Sequence, residues 1–298
     1  EDFMRWRAGT WQIGQRESGE MSNTETITID ESGEPHEKIQ VHEYGFVKLL
    51  DVMGNDEEVE NAARISYGEG TRKTSQTRNL IRYLMRHKHT SPFEMCEVKF
   101  HLKLPIFVMR QLVRHRTANL NEYSGRYSVM SDDFYFPKGK NLKPQSSTNK
   151  QGREDGELRN PGEIEFEIFR IFDGAKNAYH NLLDWDLSRE LARIVLPVAN
   201  YTEVIWKIDL HNFFHFYRLR GDSHAQDEIQ HFADAMWNLV EPHFPICCEA
   251  FTDYVLEAKT FSKKEMAIIK DNLNGSWVMS KYGLSERESK EFLDKLKD

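Results

Sequence analysis

Residues 114–128 read RHRTANLNEYSGRYS. Within them lie Arg114, His115, Arg116 and Arg126, the carboxylate of Glu122, the hydroxyls of Tyr123, Ser124, Tyr127 and Ser128, and almost no apolar filler. The chain around them is acidic, with a formal net charge of −8. Cations gathered in an acidic chain point to a local site for an anion. Arginine suits phosphate best, because its planar fork gives two parallel charge-assisted bonds. Donors mixed with one carboxylate suit a ligand that has phosphate, carbonyl and imide edges. A single arginine at a helix end is explained by the terminal carbonyls and the helix dipole; the whole stretch is not. A buried turn this polar is costly unless its groups are paired. Ser124 is the tempting nucleophile, but no adjacent base is evident to activate it, and positioning a ligand is its better role.

The elements that hold this stretch are legible on either side. CEVKFHLKLP (96–105) alternates apolar Cys96, Val98, Phe100, Leu102 and Leu104 with polar residues, which predicts a strand with one wet face. Pro105 then starts a helix. Ile106, Met109 and Val113 fall on one side of that helix and Gln111, Arg114 and His115 on another, since residues three and four apart are neighbours. Upstream, 43–54 reads as a strand ended by Gly54, 56–66 as a short helix with an acidic start, and 75–87 as a helix. Downstream, 163–185 is an amphipathic helix, 188–196 a second stopped by Pro197, and 202–209 a weakly alternating strand. A helix over 210–221 closes on Gly221. SHAQ (223–226) fits a capping box, with Ser223 as cap and Gln226 reaching back, opening a helix to about His243.

Length and composition bound the rest. The 298 residues are 39% hydrophobic and 30% charged, enough for one large or two small domains with a packed core. The negative charge excludes a protein that coats nucleic acid by bulk attraction. Cys96, Cys247 and Cys248 form no CxxC pair, which suggests a reducing, cytoplasmic setting without disulfides. No run approaches a membrane span or a signal peptide. Residues 1–38 read as a flexible tail, or an arm that orders on a neighbour. The catalytic domain runs over 39–259, interrupted by a breaker-rich loop or insertion at 137–162, and 260–298 is a helical, charged extension.

The spacing Arg114-His115-Arg116, seven residues, then Ser124 resembles the flavin-dependent thymidylate synthases. HKHTSPFE (87–94), PIFVMRQLVRHR (105–116), LARIVLP (191–197) and RLRGDSHAQDEIQ (218–230) resemble blocks of that family in its order, covering roughly 41–258. The resemblance implies an α+β fold with a mainly antiparallel sheet packed with helices, and a homotetramer with active sites shared between subunits. It implies methylation of dUMP to dTMP, with methylenetetrahydrofolate giving the carbon and NADPH-reduced FAD the hydride. A hydride at uracil C6 activates C5 without a covalent bond to an enzyme cysteine, and none of the three cysteines lies in the nucleotide-binding blocks.

Carried over by position, the resemblance assigns dUMP to Gln111, Leu112, Val113, Arg114, Glu122, Tyr123, Ser124, Gly125, Arg126, Arg193 and Arg220. Arg220 corresponds to the arginine that stabilises ionised N3 of uracil. The flavin falls to Ser91, Arg114, His115, Arg116, Glu122, Asp209, Leu210, His211 and His215, with His89 near flavin and folate. Asp209, His211 and His215 depart from the commoner Asn, Arg and Asn, and a carboxylate accepts where a flavin edge needs a donor. His89 reads equally as a hydrogen-bonded interface histidine.

Two other classes remain open at this level. His211 and His215, at i and i+4 with His224 following, have a zinc-like spacing that would suit a metal-dependent nucleotide hydrolase, though no HExxH glutamate accompanies them. A nucleotide-binding module that has lost catalysis is the other; intact Arg220 and the complete Arg-His-Arg-to-Ser spacing argue against it. Phe213, Phe214, Phe216 and Tyr217 read as core rather than a stacking platform. No glycine fingerprint follows a strand, so NADPH needs no Rossmann domain here.

Overall fold

The computed structural model describes residues 38–66, 77–147, 150–264, 266 and 286 in full, and 2–7, 10–15, 25–29 and 35–37 by their backbone. The chain divides into a unit Glu1–Phe251 and a unit Thr252–Asp298. The first carries an antiparallel six-stranded sheet in the order β3-β4-β5-β6-β8-β7. Its strands are β3 (Glu25–Ile29), β4 (Pro35–Val41), β5 (Gly45–Met53), β6 (Glu97–Pro105), β7 (Asn119–Glu122) and β8 (Tyr201–Asp209). A separate hairpin joins β1 (Asp2–Arg7) to β2 (Thr10–Gln15). Part of the segment read as a tail is therefore extended and paired. The helices are α1 (Asp56–Arg64), α2 (Thr77–Arg86), α3 (Ser91–Glu94), α4 (Ile106–Leu112), α5 (Pro161–Asp184), α6 (Arg189–Ala192), α7 (Leu210–Arg220), α8 (Asp227–Val240) and α9 (Pro245–Phe251).

The sheet is amphipathic because its sequence alternates. Val98, Phe100, Leu102 and Leu104 of β6 are buried while the residues between them are wetter. Val204, Trp206 and Ile208 of β8 continue that face, as do Val47 and Leu49 of β5. Helices α7 and α8 cover it. Trp206 stacks on Phe100 at 6.4 Å and meets Phe216 edge-on at 5.2 Å, and Phe213 lies 6.1 Å from Phe100. Each such buried ring is worth about 1.5–3 kcal/mol of transfer free energy, so this cluster fixes α7 on the sheet. A smaller core under α5 joins Tyr179, Met130 and Ala192 with Leu182 and Leu196, and the Met130 N–H donates to the Tyr179 hydroxyl at 3.1 Å.

Several ends are set by single residues. Asn55 caps α1, accepting the Glu58 N–H at 3.0 Å, and Gly54 before it takes a left-handed φ of +93° that disfavours a side chain. The buried Asp56 carboxylate accepts from the backbone N–H groups of Ile246 and Cys247, at 2.8 and 2.9 Å, and so closes the start of α9.

Both ends of α8 differ from expectation. The capping box at 223–226 does not form: α8 begins at Asp227 behind Gln226, whose side chain does not cap it, while Asp222 accepts the His224 N–H at 2.8 Å. α8 stops at Val240, and a 3₁₀ turn takes the chain to His243. Gly221 closes α7 as expected, with a φ of −82°, and a Cβ there would meet the Tyr217 ring at 2.8 Å. The 137–162 loop is irregular as expected, but Arg153 ties it to α8 and Lys143 pairs with Asp155 at 2.8 Å. The boundary between the two units falls at 251/252. In the second unit Thr252–Leu256 is a π-helical turn, and most of the predicted helical extension lies outside the described residues.

Candidate functional site

The polar stretch is not a buried turn. Residues 119–122 form β7, an edge strand whose four side chains are all exposed. β7 pairs with β8, with Glu122 opposite Val204, and the Thr202 hydroxyl donates to Glu122 at 2.9 Å. The cost of burying such residues is avoided by leaving them wet.

α4 delivers the other half. Its last residue, Leu112, is buried, so its side chain belongs to the core and only its backbone can face a ligand. Beyond it Val113, Arg114 and Arg116 point outward, while His115 turns in and is 9% exposed. Among the described residues Arg114, Arg116 and Arg193 have no acidic partner. His115 packs edge-on against Phe216 at 5.0 Å and lies 6.1 Å from the His215 ring. Its Nε2 accepts the Arg220 Nε–H at 3.1 Å. That bond requires an unprotonated Nε2. Burial, then the Arg220 charge, then His215 lower the His115 pKa to about 4, so the ring is neutral at neutral pH. Arg220 is itself half-buried, and burial followed by the nearby Arg114 charge makes its guanidinium less basic than usual. Two guanidiniums are thus held near one another without a carboxylate between them.

The turn after β7 closes the same region. Tyr123 N–H donates to Glu203 O at 2.8 Å, and its hydroxyl to Val129 O at 2.9 Å. Ser124 O accepts from the backbone of Tyr127 and Ser128, and Ser124 Oγ has only a long contact with Arg126 N at 3.4 Å. Gly125 is buried, and a Cβ there would meet Met130 Sδ at 2.7 Å and Arg193 Cδ at 3.3 Å. That approach places Arg193 beside the serine turn. Arg126 makes a surface pair with Glu190 at 3.3 Å, worth little in water.

The flavin candidates outside this cluster sit around the start of α7. α3 packs against α7, and Leu210 N–H donates to Cys96 O at 2.9 Å. Asp209 is committed locally: it accepts the Asn212 N–H at 2.9 Å and the Asn212 amide at 2.7 Å, capping α7. Leu210 is fully buried. Neither offers a free side chain. His211 and His215 lie along α7, and burial, then the charges of Arg218 and His211, lower the His215 pKa. His89 and Ser91 are exposed, with the His89 ring stacked on Tyr83 at 5.9 Å. The third histidine of the zinc reading, His224, pairs instead with Asp222 at 2.7 Å, and among the described residues no three metal-ligating side chains converge.

The thiols have no part in this geometry. Cys96, Cys247 and Cys248 are all buried. Burial pushes the Cys96 thiol up to about 11 and raises the other two further. A thiol nucleophile reacts as thiolate, so none of the three suits attack on a pyrimidine.

A family described as "Thymidylate synthase complementing protein" matches residues 48–246. The chain is 48% identical over 261 residues to a flavin-dependent thymidylate synthase of Ehrlichia ruminantium (strain Gardel), covering 87% of this chain and 88% of that one. It is 44% identical to one of Rickettsia bellii, over 88% and 94% of the two chains, and 45% identical to one of Dictyostelium discoideum, over 87% and 86%. This chain belongs to the flavin-dependent thymidylate synthases. A solved relative, a UMP/dUMP methylase PolB from Streptomyces cacaoi bound with 5-Br UMP, superposes with a TM-score of 0.65 at 34% identity, covering 72% of this chain and 96% of that one.

Within that family the structure accounts for how the residues are presented. β8 leads directly into α7, so one strand and one helix fix Glu122 through Thr202, the His211–His215 row, and Arg220 at the far end. Gln226, which sequence reasoning treated only as a capping residue, accepts the Gln111 amide at 2.6 Å. It lines a cavity of about 450 Å³ with Phe107, Tyr135, Arg153, Phe172 and Glu228. Its acid-amide neighbours in DSHAQDE were the available signal.

Proposed function

We propose that this chain reductively methylates dUMP to dTMP, drawing the carbon from methylenetetrahydrofolate and reducing power from NADPH. The carrying observation is the guanidinium set at the end of α4 and α7. Arg114 lowers the basicity of Arg220 by proximity, and among the described residues neither has a carboxylate partner. Holding like charges together is unfavourable, and an anionic ligand offsets it. The donor set therefore fits a flavin dinucleotide and a nucleotide monophosphate, both of which carry phosphate. FAD, when bound, supplies the hydride.

The chain's own residues do the rest. Arg114, Arg116 and Arg193 hold phosphate. Arg220, oriented by neutral His115, stabilises negative charge on the uracil imide. Ser124 and Arg126 position dUMP, and Gly125 lets the backbone turn approach Arg193. Tyr123 braces that turn. Glu122, Gln111 and the backbone of Leu112 and Val113 complete the nucleotide side. Ser91, His89, His211, His215 and the backbone at Asp209–Leu210 serve the flavin side. In this reading the chain acts within a homotetramer whose subunits complete each other's sites, and the wholly exposed β7 residues support a face open to another subunit.

The purified protein should be yellow, and NADPH without oxygen should bleach it. Release of tritium from C5-labelled dUMP should require folate and NADPH. Stoichiometric zinc with no flavin, and no tritium release, would refute the reading in favour of a hydrolase.

A further inference from the structure

Loop 137–162 lies outside the blocks that resemble the family, yet one of its side chains reaches a buried carboxylate next to the nucleotide side. Arg153 donates to both oxygens of Glu228, at 3.1 Å each, from Nη1 and Nη2. It also pairs with Asp227 at 3.1 Å and donates to Asn141 O at 3.0 Å. The Tyr135 hydroxyl donates to Glu228 at 2.8 Å. Glu228 is 2% exposed. Burial alone would raise its pKa, but Tyr135 and Arg153 outweigh that and hold it below the usual range, so it is ionised and only accepts. Gln226 lines one cavity with Glu228, and beside a carboxylate that only accepts, the Gln226 amide nitrogen is the end that faces it, leaving the oxygen free to accept. That oxygen receives the Gln111 amide N–H at 2.6 Å.

We propose that Gln226 is a positioning residue for Gln111, and that loop 137–162 sets its orientation through Arg153 and Glu228. The direction of every bond follows from the carboxylate at the centre. An amide can face either way, and only an ionised acceptor behind Gln226 decides which. Once held, Gln111 keeps one N–H and its carbonyl oxygen for the nucleotide. Its long side chain no longer loses rotamer freedom when dUMP arrives, so the restraint favours binding. The inference rests on Gln111 contacting dUMP, as proposed above.

Six full-length proteins test it: wild type, Gln111→Leu, Gln226→Leu, the double variant of those two, Arg153→Met, and Arg153→Met combined with Gln226→Leu, each checked for flavin content and melting temperature. The measurement is dUMP affinity by calorimetric titration, with KM and kcat from tritium release. Gln226→Leu should weaken dUMP roughly two- to tenfold, the value of one neutral hydrogen bond, by raising KM while kcat holds. The double variant should bind no more weakly than Gln111→Leu. Arg153→Met should weaken dUMP in the wild type but not in Gln226→Leu. Wild-type affinity in Gln226→Leu, or a loss that adds in full to that of Gln111→Leu, would overturn the inference and leave Gln111 as a substrate residue. Wild-type affinity in Gln111→Leu would instead remove that residue from the site, and the inference with it.

Discussion

Acidification should loosen this protein through His115 before its carboxylates titrate. The ring is buried, its Nε2 accepts from Arg220, and its pKa is lowered to about 4. In the unfolded chain the same imidazole titrates near its ordinary value of about 6.5. The folded state thus binds the proton less readily, so the stability His115 confers is full above about pH 6.5 and is lost as pH falls toward 4. At pH 5 the unfolded imidazole is almost wholly protonated and the folded one only about one-tenth so, which amounts to about 2 kcal/mol lost relative to pH 7. His115→Gln keeps an oxygen for Arg220 and cannot titrate. Urea unfolding at pH 7 and pH 5, at fixed protein concentration, should show the wild type losing about 2 kcal/mol more than the variant over that interval. His42, half-buried and lowered to about 4 by burial and then His231, remains in both proteins and cancels. Equal losses in the two proteins would refute a neutral, buried His115 and with it the account of how Arg220 is oriented.

Arg220→Ala should cut tritium release about a hundred- to a thousandfold, the usual effect of removing one group that stabilises developing charge, with flavin content little changed. Ser124→Ala should leave measurable activity, because Ser124 Oγ has only a 3.4 Å contact and no base; complete loss with folding and dUMP binding intact would restore the nucleophile role. Gly125→Ala should raise the KM for dUMP and cost about 1–3 kcal/mol in unfolding, since the new Cβ displaces Met130 and Arg193. Replacing Cys96, Cys247 and Cys248 together by Ala should lower the melting temperature through core cavities while tritium release persists at folding temperatures.

Strands β5, β6 and β8 and helices α1, α4, α5 and α7 were legible because each carries a run of alternating or helical apolar residues long enough to declare its period. β7 was not. Asn119–Glu122 has one apolar residue, and its strand character comes only from pairing with β8. The face containing Gln111, Arg114 and His115 was misjudged for a related reason. Helical spacing puts the three together, but α4 ends at Leu112, so Arg114 and His115 no longer follow its rotation, and one faces out while the other turns in. Asp209, carried over as a flavin residue, also caps α7, a role its position before LHN would have allowed. The link from Arg153 to Gln111 spans distant segments of sequence and leaves no local pattern.

An acidic chain could have neutralised Arg114 and Arg116 with its own carboxylates, and does so for Arg78 and Arg82, which share Glu249. At the end of α4 the nearest carboxylate of the recognisable stretch, Glu122, is instead engaged by Thr202 from the neighbouring strand. That bond aims Glu122 along β8, and His115 supplies Arg220 with a neutral acceptor in place of a charged one. A carboxylate at 115 would satisfy Arg220 more strongly and cancel part of the positive potential, whereas an imidazole kept neutral by burial orients the guanidinium and leaves its charge available. The burial that depresses His115 and the charge that Arg220 keeps are therefore one design, set by Phe216 packing against the ring.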